Sequence, residues 1–103
     1  MKTILLACAA GMSTSLLVTK MEKAATDQGI EVNIYAVSVA EVDGELADNN
    51  IDVVLLGPQV RYEEANMRTK LAPYGIPLAV INMQDYGMMN GSKVLDSALK
   101  LLK

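Results

Sequence analysis

The chain opens on an apolar run, Ile4, Leu5, Leu6 and Ala7, which reads as a strand buried on both faces. Similar runs return at Ile51–Leu56, broken only by Asp52, and at Ile76–Ile81, where Pro77 stands near the start. Glu31–Val37 alternates polar and apolar residues and is rich in β-branched ones, as a strand would be. Between these runs the spacing turns helical. Leu17, Met21, Ala24 and Gln28 line one side of a helix predicted over about residues 13–28, with Lys20, Glu22 and Lys23 on the wet side and Gly29 as its stop. Ser38–Asn50 sets Val39, Val42 and Leu46 among Glu41, Asp43, Glu45 and Asp48, which predicts a short or broken helix with an acidic outer face. A third helix is expected from Val60 to Leu71, after the turn Gly57-Pro58-Gln59 and before Pro73 and Gly75. Asn82–Gly91 reads as a turn-rich connection. Ser92 is the expected cap of a last helix with Val94, Leu95, Ala98, Leu99 and Leu102 as its apolar stripe.

Strand and helix alternating four times in 103 residues predict an α/β fold in one domain, residues 1–103. The expected architecture is three-layered: a four-stranded parallel sheet, doubly wound, with helices on both faces. In such sheets the crevice for ligands lies outside the carboxyl ends of the strands, where the strand order reverses. That places Cys8, the turn Gly57-Pro58-Gln59 and the turn Asn82-Met83-Gln84 on one rim, with Gln59 and Gln84 as candidate neighbours of Cys8.

Composition narrows the chemistry. A net charge of -3 and a pI near 4.8 leave no basic stripe for nucleic acid. The single cysteine cannot form an internal disulfide, and the short first apolar run is neither a signal peptide nor a span, so a cytosolic protein with no membrane insertion is expected. The chain contains no histidine, which removes an internal imidazole base, a His-Asp triad and an ordinary zinc site. Neither a metal nor a cofactor is expected, and any imidazole chemistry has to come from a partner.

The stretch Cys8, Ala9, Ala10, Gly11, Met12, Ser13, Thr14 and Ser15 joins the first strand to the first helix. Free N–H groups in a first helical turn, together with the helix dipole, make an anion site. A cysteine beside a helix N-terminus has its nucleophilic thiolate stabilised. A thioredoxin-like site fails, because position 11 is Gly11 instead of a second cysteine. The Cys-x5-Arg loop of tyrosine phosphatases and arsenate reductases fails as well, because its arginine position is Thr14. Such a loop could hold phosphocysteine on backbone amides and the hydroxyls of Ser13, Thr14 and Ser15 without hastening its hydrolysis. A small cysteine-loop phosphatase and a non-catalytic anion-binding module stay open beside this relay reading. Around the loop, Met12, Pro58, Val60, Tyr62, Tyr86, Met88 and Met89 form a candidate apolar patch for partner proteins.

The chain resembles enzyme IIB of the bacterial phosphoenolpyruvate-dependent sugar phosphotransferase system, in its lactose/cellobiose (type 3) class. The likeness rests on Leu5-Leu6-Ala7-Cys8, on Gly11-Met12-Ser13-Thr14-Ser15, on Asp52–Val60 with its Leu56-Gly57-Pro58-Gln59, and on Tyr86-Gly87-Met88-Met89-Asn90-Gly91. The resemblance implies a fold like that of the low-molecular-weight tyrosine phosphatases. It implies that Cys8 accepts a phosphoryl group from a histidine of enzyme IIA and passes it to a sugar carried by the membrane permease, enzyme IIC. It also implies that Ala9–Ser15 form the phosphate loop. The turns that share the rim make Pro58, Gln59, Tyr62 and Tyr86 the expected rim or partner contacts. Because this domain stands apart from a IIC domain, the expected sugar is cellobiose, chitobiose or a related β-glucoside, ahead of lactose.

Overall fold

A computed structural model of the protein describes residues 1–9 and 14–102, with the side chain of Thr14 left out. The sheet contains β1 (Lys2–Cys8), β2 (Val32–Ser38), β3 (Val53–Leu56) and β4 (Leu78–Val80), all parallel, in the order β2-β1-β3-β4. The helices are α1 (Thr14–Asp27), α2 (Val42–Asp48), α3 (Glu64–Leu71), α4 (Met83–Gly87) and α5 (Gly91–Leu101). The predicted three-layer α/β architecture is therefore the one observed.

Strand periodicity builds the two cores. Successive side chains of a strand point to opposite faces. Ile4 and Leu6 of β1 and Val53 and Leu55 of β3 pack with Leu17, Met21 and Ala25 of α1 and with Val94, Leu95 and Ala98 of α5. Leu5, Ala7, Val54 and Leu56 face the other way, onto Val42 and Leu46 of α2 and Met67 and Leu71 of α3. Both central strands are thus covered on both sides, which is why their sequences read as unbroken apolar runs.

Several local expectations are met. Gly29 adopts φ 70°, and the Ile30 and Gly29 amides donate back to the carbonyls of Ala25 (2.8 Å) and Thr26 (3.1 Å), a Schellman closure of α1. The acidic segment is a broken helix, with a 3₁₀ turn over Val39–Glu41 running into α2. Tyr35 reaches from β2 to Glu45 of α2, its hydroxyl donating at 2.6 Å. Burial first, and then that carboxylate, push the Tyr35 hydroxyl up to about 12.

Others are corrected. The buried stripe of α1 runs through Leu17, Met21 and Ala25, whereas Gln28 is exposed, because α1 ends at Asp27 and Gln28 lies in the turn beyond it. The segment predicted to be helical from Val60 begins as a 3₁₀ stretch, Pro58–Glu63, with a break at Val60 (φ -121°, ψ 25°), and becomes α-helical only at Glu64. The connection after β4 contains α4, capped by the Asn82 side chain, which accepts from the Gln84 and Asp85 amides at 2.9 and 3.1 Å. The cap of α5 is Asn90, not Ser92: its side chain accepts from the Lys93 amide at 3.2 Å. The helix starts on Gly91 because α5 crosses α1 there. A Cβ on Gly91 would stand 2.6 Å from the Lys20 carbonyl oxygen and 2.6 Å from the Met21 nitrogen.

Candidate functional site: the strand ends around Cys8

The chain passes from β1 outward to β2, then returns to the other side of β1 as β3, so the strand order reverses between β1 and β3. Cys8 is the last residue of β1, at the carboxyl edge of that reversal. Register fixes its neighbours. Cys8 pairs with Ser38 at the end of β2, and Ala7 pairs with Leu56, so that Gly57 comes level with Cys8 on the other side. The Gly57 amide donates to the Ala7 carbonyl at 2.8 Å and ties the β3 end to the β1 end. A Cβ at Gly57 would lie 3.3 Å from the Cys8 Cβ, so glycine allows the two strand ends to close up.

The Cys8 side chain is nearly buried, at 6% exposure, and its thiol donates to the Val37 carbonyl at 3.6 Å. Beside it lies an open groove of about 410 Å³ whose lining includes Cys8, Ser38, Tyr62, Glu63 and Lys70. Ser38 is held at the groove edge: its amide and hydroxyl both donate to Glu41, at 3.1 and 2.8 Å. Those donations hold the Glu41 carboxyl below its usual range, the backbone bond contributing most. Lys70 on α3 pairs with Asp43 on α2 at 3.3 Å. Among the described residues the groove therefore carries one cation, Lys70, and one carboxylate, Glu63, as well as an apolar wall.

Of the loop residues expected from sequence, Ala9 is half-buried at the groove, the Thr14 backbone opens α1, and Ser15 is exposed in its first turn. Ala10, Gly11, Met12 and Ser13 lie outside the described residues. The expected rim residues divide. Gln59 is exposed, and Tyr62 and Met88 are each 76% exposed, beside the carboxyl edge of the sheet. Pro58 and Val60 are buried, and Met89 packs partly on the core. Tyr86 is a correction: it is 6% exposed and belongs to the core under α1 and α5, with a buried hydroxyl that has no hydrogen-bond partner among the described residues. The turn after β4 put Tyr86 at the rim in the sequence reading, but its ring turns inward and packs in the core. The sequence reading missed Ser38, Glu63 and Lys70. Only Ser38 carried a signal, in the Ser38-x-x-Glu41 pattern of a capping box.

Among the described residues no group of three or more acidic, cysteine or histidine side chains converges on a possible metal. Nor is any helix long and apolar enough to cross a membrane. What the arrangement offers is a nucleophile type at a strand end, followed by a helix that begins at Thr14 and points its N-terminus at the same rim.

That is the architecture of a cysteine-bearing, doubly wound phosphate-handling domain. The match to a family model for the lactose/cellobiose-specific IIB subunit of the phosphotransferase system extends over residues 3–97, and the chain belongs to that family. The cellobiose-specific EIIB component of Lactococcus lactis subsp. lactis is 53% identical over 104 residues, covering 98% of this chain and 96% of the relative. The galactose-specific EIIB component of Lactococcus lactis subsp. cremoris is 52% identical, with the same shares covered. The oligo-beta-mannoside-specific EIIB component of Bacillus subtilis is 42% identical, covering 99% of this chain and 97% of the relative. Among solved structures, the cellobiose-specific IIB component of Borrelia burgdorferi superposes with a TM-score of 0.79 at 42% identity, over 98% of this chain and 91% of that one. The lactose-specific IIB domain of Streptococcus pneumoniae reaches a TM-score of 0.84 at 21% identity, over 99% and 98%, which bears on the fold alone. The protein is thus a phosphotransferase component, a sugar-specific phosphoryl relay that works with other components of its system.

Proposed function

We propose that Cys8 is the phosphoryl carrier of this relay. It accepts the group from a phosphohistidine of enzyme IIA and delivers it to a sugar bound by the membrane enzyme IIC. The observation that carries the reading is the position of Cys8, the one cysteine of the chain, at the carboxyl end of a central strand where the strand order reverses. Ala9 to Ser15 form the cradle, with backbone amides and the α1 dipole neutralising the phosphoryl oxygens. Phosphoryl transfer asks mainly for in-line positioning and charge neutralisation, so few reactive side chains suffice. The chain lacks histidine, and the donor imidazole belongs to IIA.

Exposed Tyr62 and Met88, on either side of the strand ends, suit a surface that meets IIA and IIC in turn. Residues 1–103 act as one domain in the cytoplasm and meet the membrane only through IIC. The sugar is cellobiose, chitobiose or a related β-glucoside; relatives named for cellobiose, galactose and oligo-beta-mannoside favour a β-linked or galactose-type acceptor class.

Intact mass tests the reading. The protein is incubated with phosphoenolpyruvate, enzyme I, the histidine carrier protein and a matching IIA. Gain of one phosphate, lost in Cys8→Ser, is expected. A Cys8→Ser protein that gains phosphate as wild type does would assign the carrier role elsewhere. Release of phosphate from a generic aryl phosphate would instead favour a phosphatase.

A further inference from the structure

We propose that the side-chain amide of Gln59 contacts the phosphoryl group directly and speeds its transfer onto and off Cys8. The inference rests on Cys8 being the carrier. Its observation is a shared point in space: the place where a Cβ on Gly57 would stand is 3.3 Å from the Cys8 Cβ and 3.4 Å from the Gln59 amide oxygen. The nucleophile-bearing carbon and the Gln59 head therefore flank one residue, and that residue has no side chain to part them.

The local backbone explains why Gln59 stays there. Gly57 is tied to Ala7, and Pro58 is buried with its φ fixed by its ring. The break at Val60 interrupts the 3₁₀ path immediately after Gln59. Gln59 thus sits on a short shelf between a clamp and a kink. Its amide makes no side-chain hydrogen bond to the described residues and the residue is exposed, so a half-turn about its last side-chain bond brings the N–H donors to the place where Oε1 stands.

The chemistry needs such a donor. A lone pair of the Cys8 sulfur forms the S–P bond while the P–N bond to the donor imidazole breaks, and that bonding pair returns to the imidazole nitrogen. The thiol gives up its proton in the step, and the imidazole departs neutral with one proton on its ring. A lone pair of a sugar hydroxyl oxygen then forms the O–P bond while the S–P pair returns to sulfur and the hydroxyl proton leaves, which discharges the carrier. In the loose transition state negative charge spreads over three equatorial oxygens. The helix N-terminus faces part of that charge, and the phosphatase arginine position is Thr14. An amide at Gln59 supplies a neutral, pH-independent donor from the β3 side.

The test uses the full chain in the phosphoenolpyruvate-driven system, comparing wild type with Gln59→Leu and Gln59→Glu, with Cys8→Ser as control. Gln59→Leu is expected to lower the maximal rate of transfer from IIA about tenfold or more at unchanged KM for IIA. Gln59→Glu is expected to be slower still, since its carboxylate faces a phosphoryl dianion. In a ¹⁵N spectrum of the phosphoprotein freed of IIA, the Gln59 side-chain amide signals are expected to shift from their unphosphorylated positions. Wild-type rates in Gln59→Leu, an effect confined to KM, or unmoved amide signals would each overturn the proposal while leaving Cys8 as carrier. A wild type that takes up no phosphate, or a Cys8→Ser protein that takes it up equally, would overturn the Cys8 reading and this one with it.

Discussion

Replacing Gly91 by alanine tests how α1 is held behind the site. Gly91 opens α5 where that helix crosses α1, and a Cβ there would stand 2.6 Å from both the Lys20 oxygen and the Met21 nitrogen, with the Lys20 carbonyl carbon closer still. All three are backbone atoms in the middle of α1, so no side chain can swing away. One helix must shift. Forcing a methyl group into a packed contact costs ~1–3 kcal/mol, and backbone neighbours place this case toward the upper end. Alanine in place of glycine returns at most about 1 kcal/mol of helix propensity. The net loss is about 2 kcal/mol, which for a domain of this size lowers Tm by roughly 8–16 °C.

Gly44 supplies the control. It is an exposed residue within α2, and a Cβ there meets nothing within 4 Å. Gly44→Ala is expected to add about 0.5–1 kcal/mol, by propensity alone. Thermal and urea unfolding of both variants, followed by circular dichroism, should therefore move in opposite directions. A Gly91→Ala protein as stable as wild type would mean that α5 can slide on α1 at no cost, and the close crossing would lose its structural role.

Tyr86→Phe removes a buried hydroxyl that has no partner among the described residues, and urea unfolding should show a gain of about 1 kcal/mol; a loss would mean that the hydroxyl is satisfied in solution. Tyr35 is held protonated in the fold, its group raised from 10.0 to about 12, so the unfolded chain ionises first as pH rises. Stability from this group is complete below pH 10 and drains away up to about 12, a decline that pH-dependent melting should find flattened in Tyr35→Phe. Thr14→Arg restores the phosphatase spacing from Cys8, and the phosphoprotein should lose its phosphate to water about tenfold faster or more; an unchanged lifetime would show that the missing cation is not what protects the intermediate.

The sheet was legible because its signal is local. Ile4–Ala7 and Val53–Leu56 are apolar at every position, and strands buried on both faces leave that trace wherever they stand in the chain. The helix ends were less so. Nothing local distinguishes Asn90 from Ser92 as a cap; the choice depends on Gly91 fitting against Lys20 and Met21, some seventy residues earlier in the chain. Likewise α4 is too short to show a period, and it closes on Met89 at φ 53° where glycine would have announced the stop.

The site follows the same division. Cys8 could be singled out because a strand, a glycine-bearing turn and a helix stand consecutively around it. Of its walls, strand order alone placed the turn Gly57-Pro58-Gln59 on the rim, whereas Ser38, Glu63 and Lys70 are brought there by register and helix packing. Ala7 pairs with Leu56, which sets Gly57 beside Cys8 and brings the Gln59 head back over the same point. A slip of β3 by one residue would set Pro58 there, with a ring where the close approach needs a bare backbone. The same slip would turn Val54 and Leu56 away from α2 and α3. The core that fixes the register of β3 is therefore also what holds Gly57 and Gln59 against Cys8, so a substitution in that core would be felt at the site without touching it.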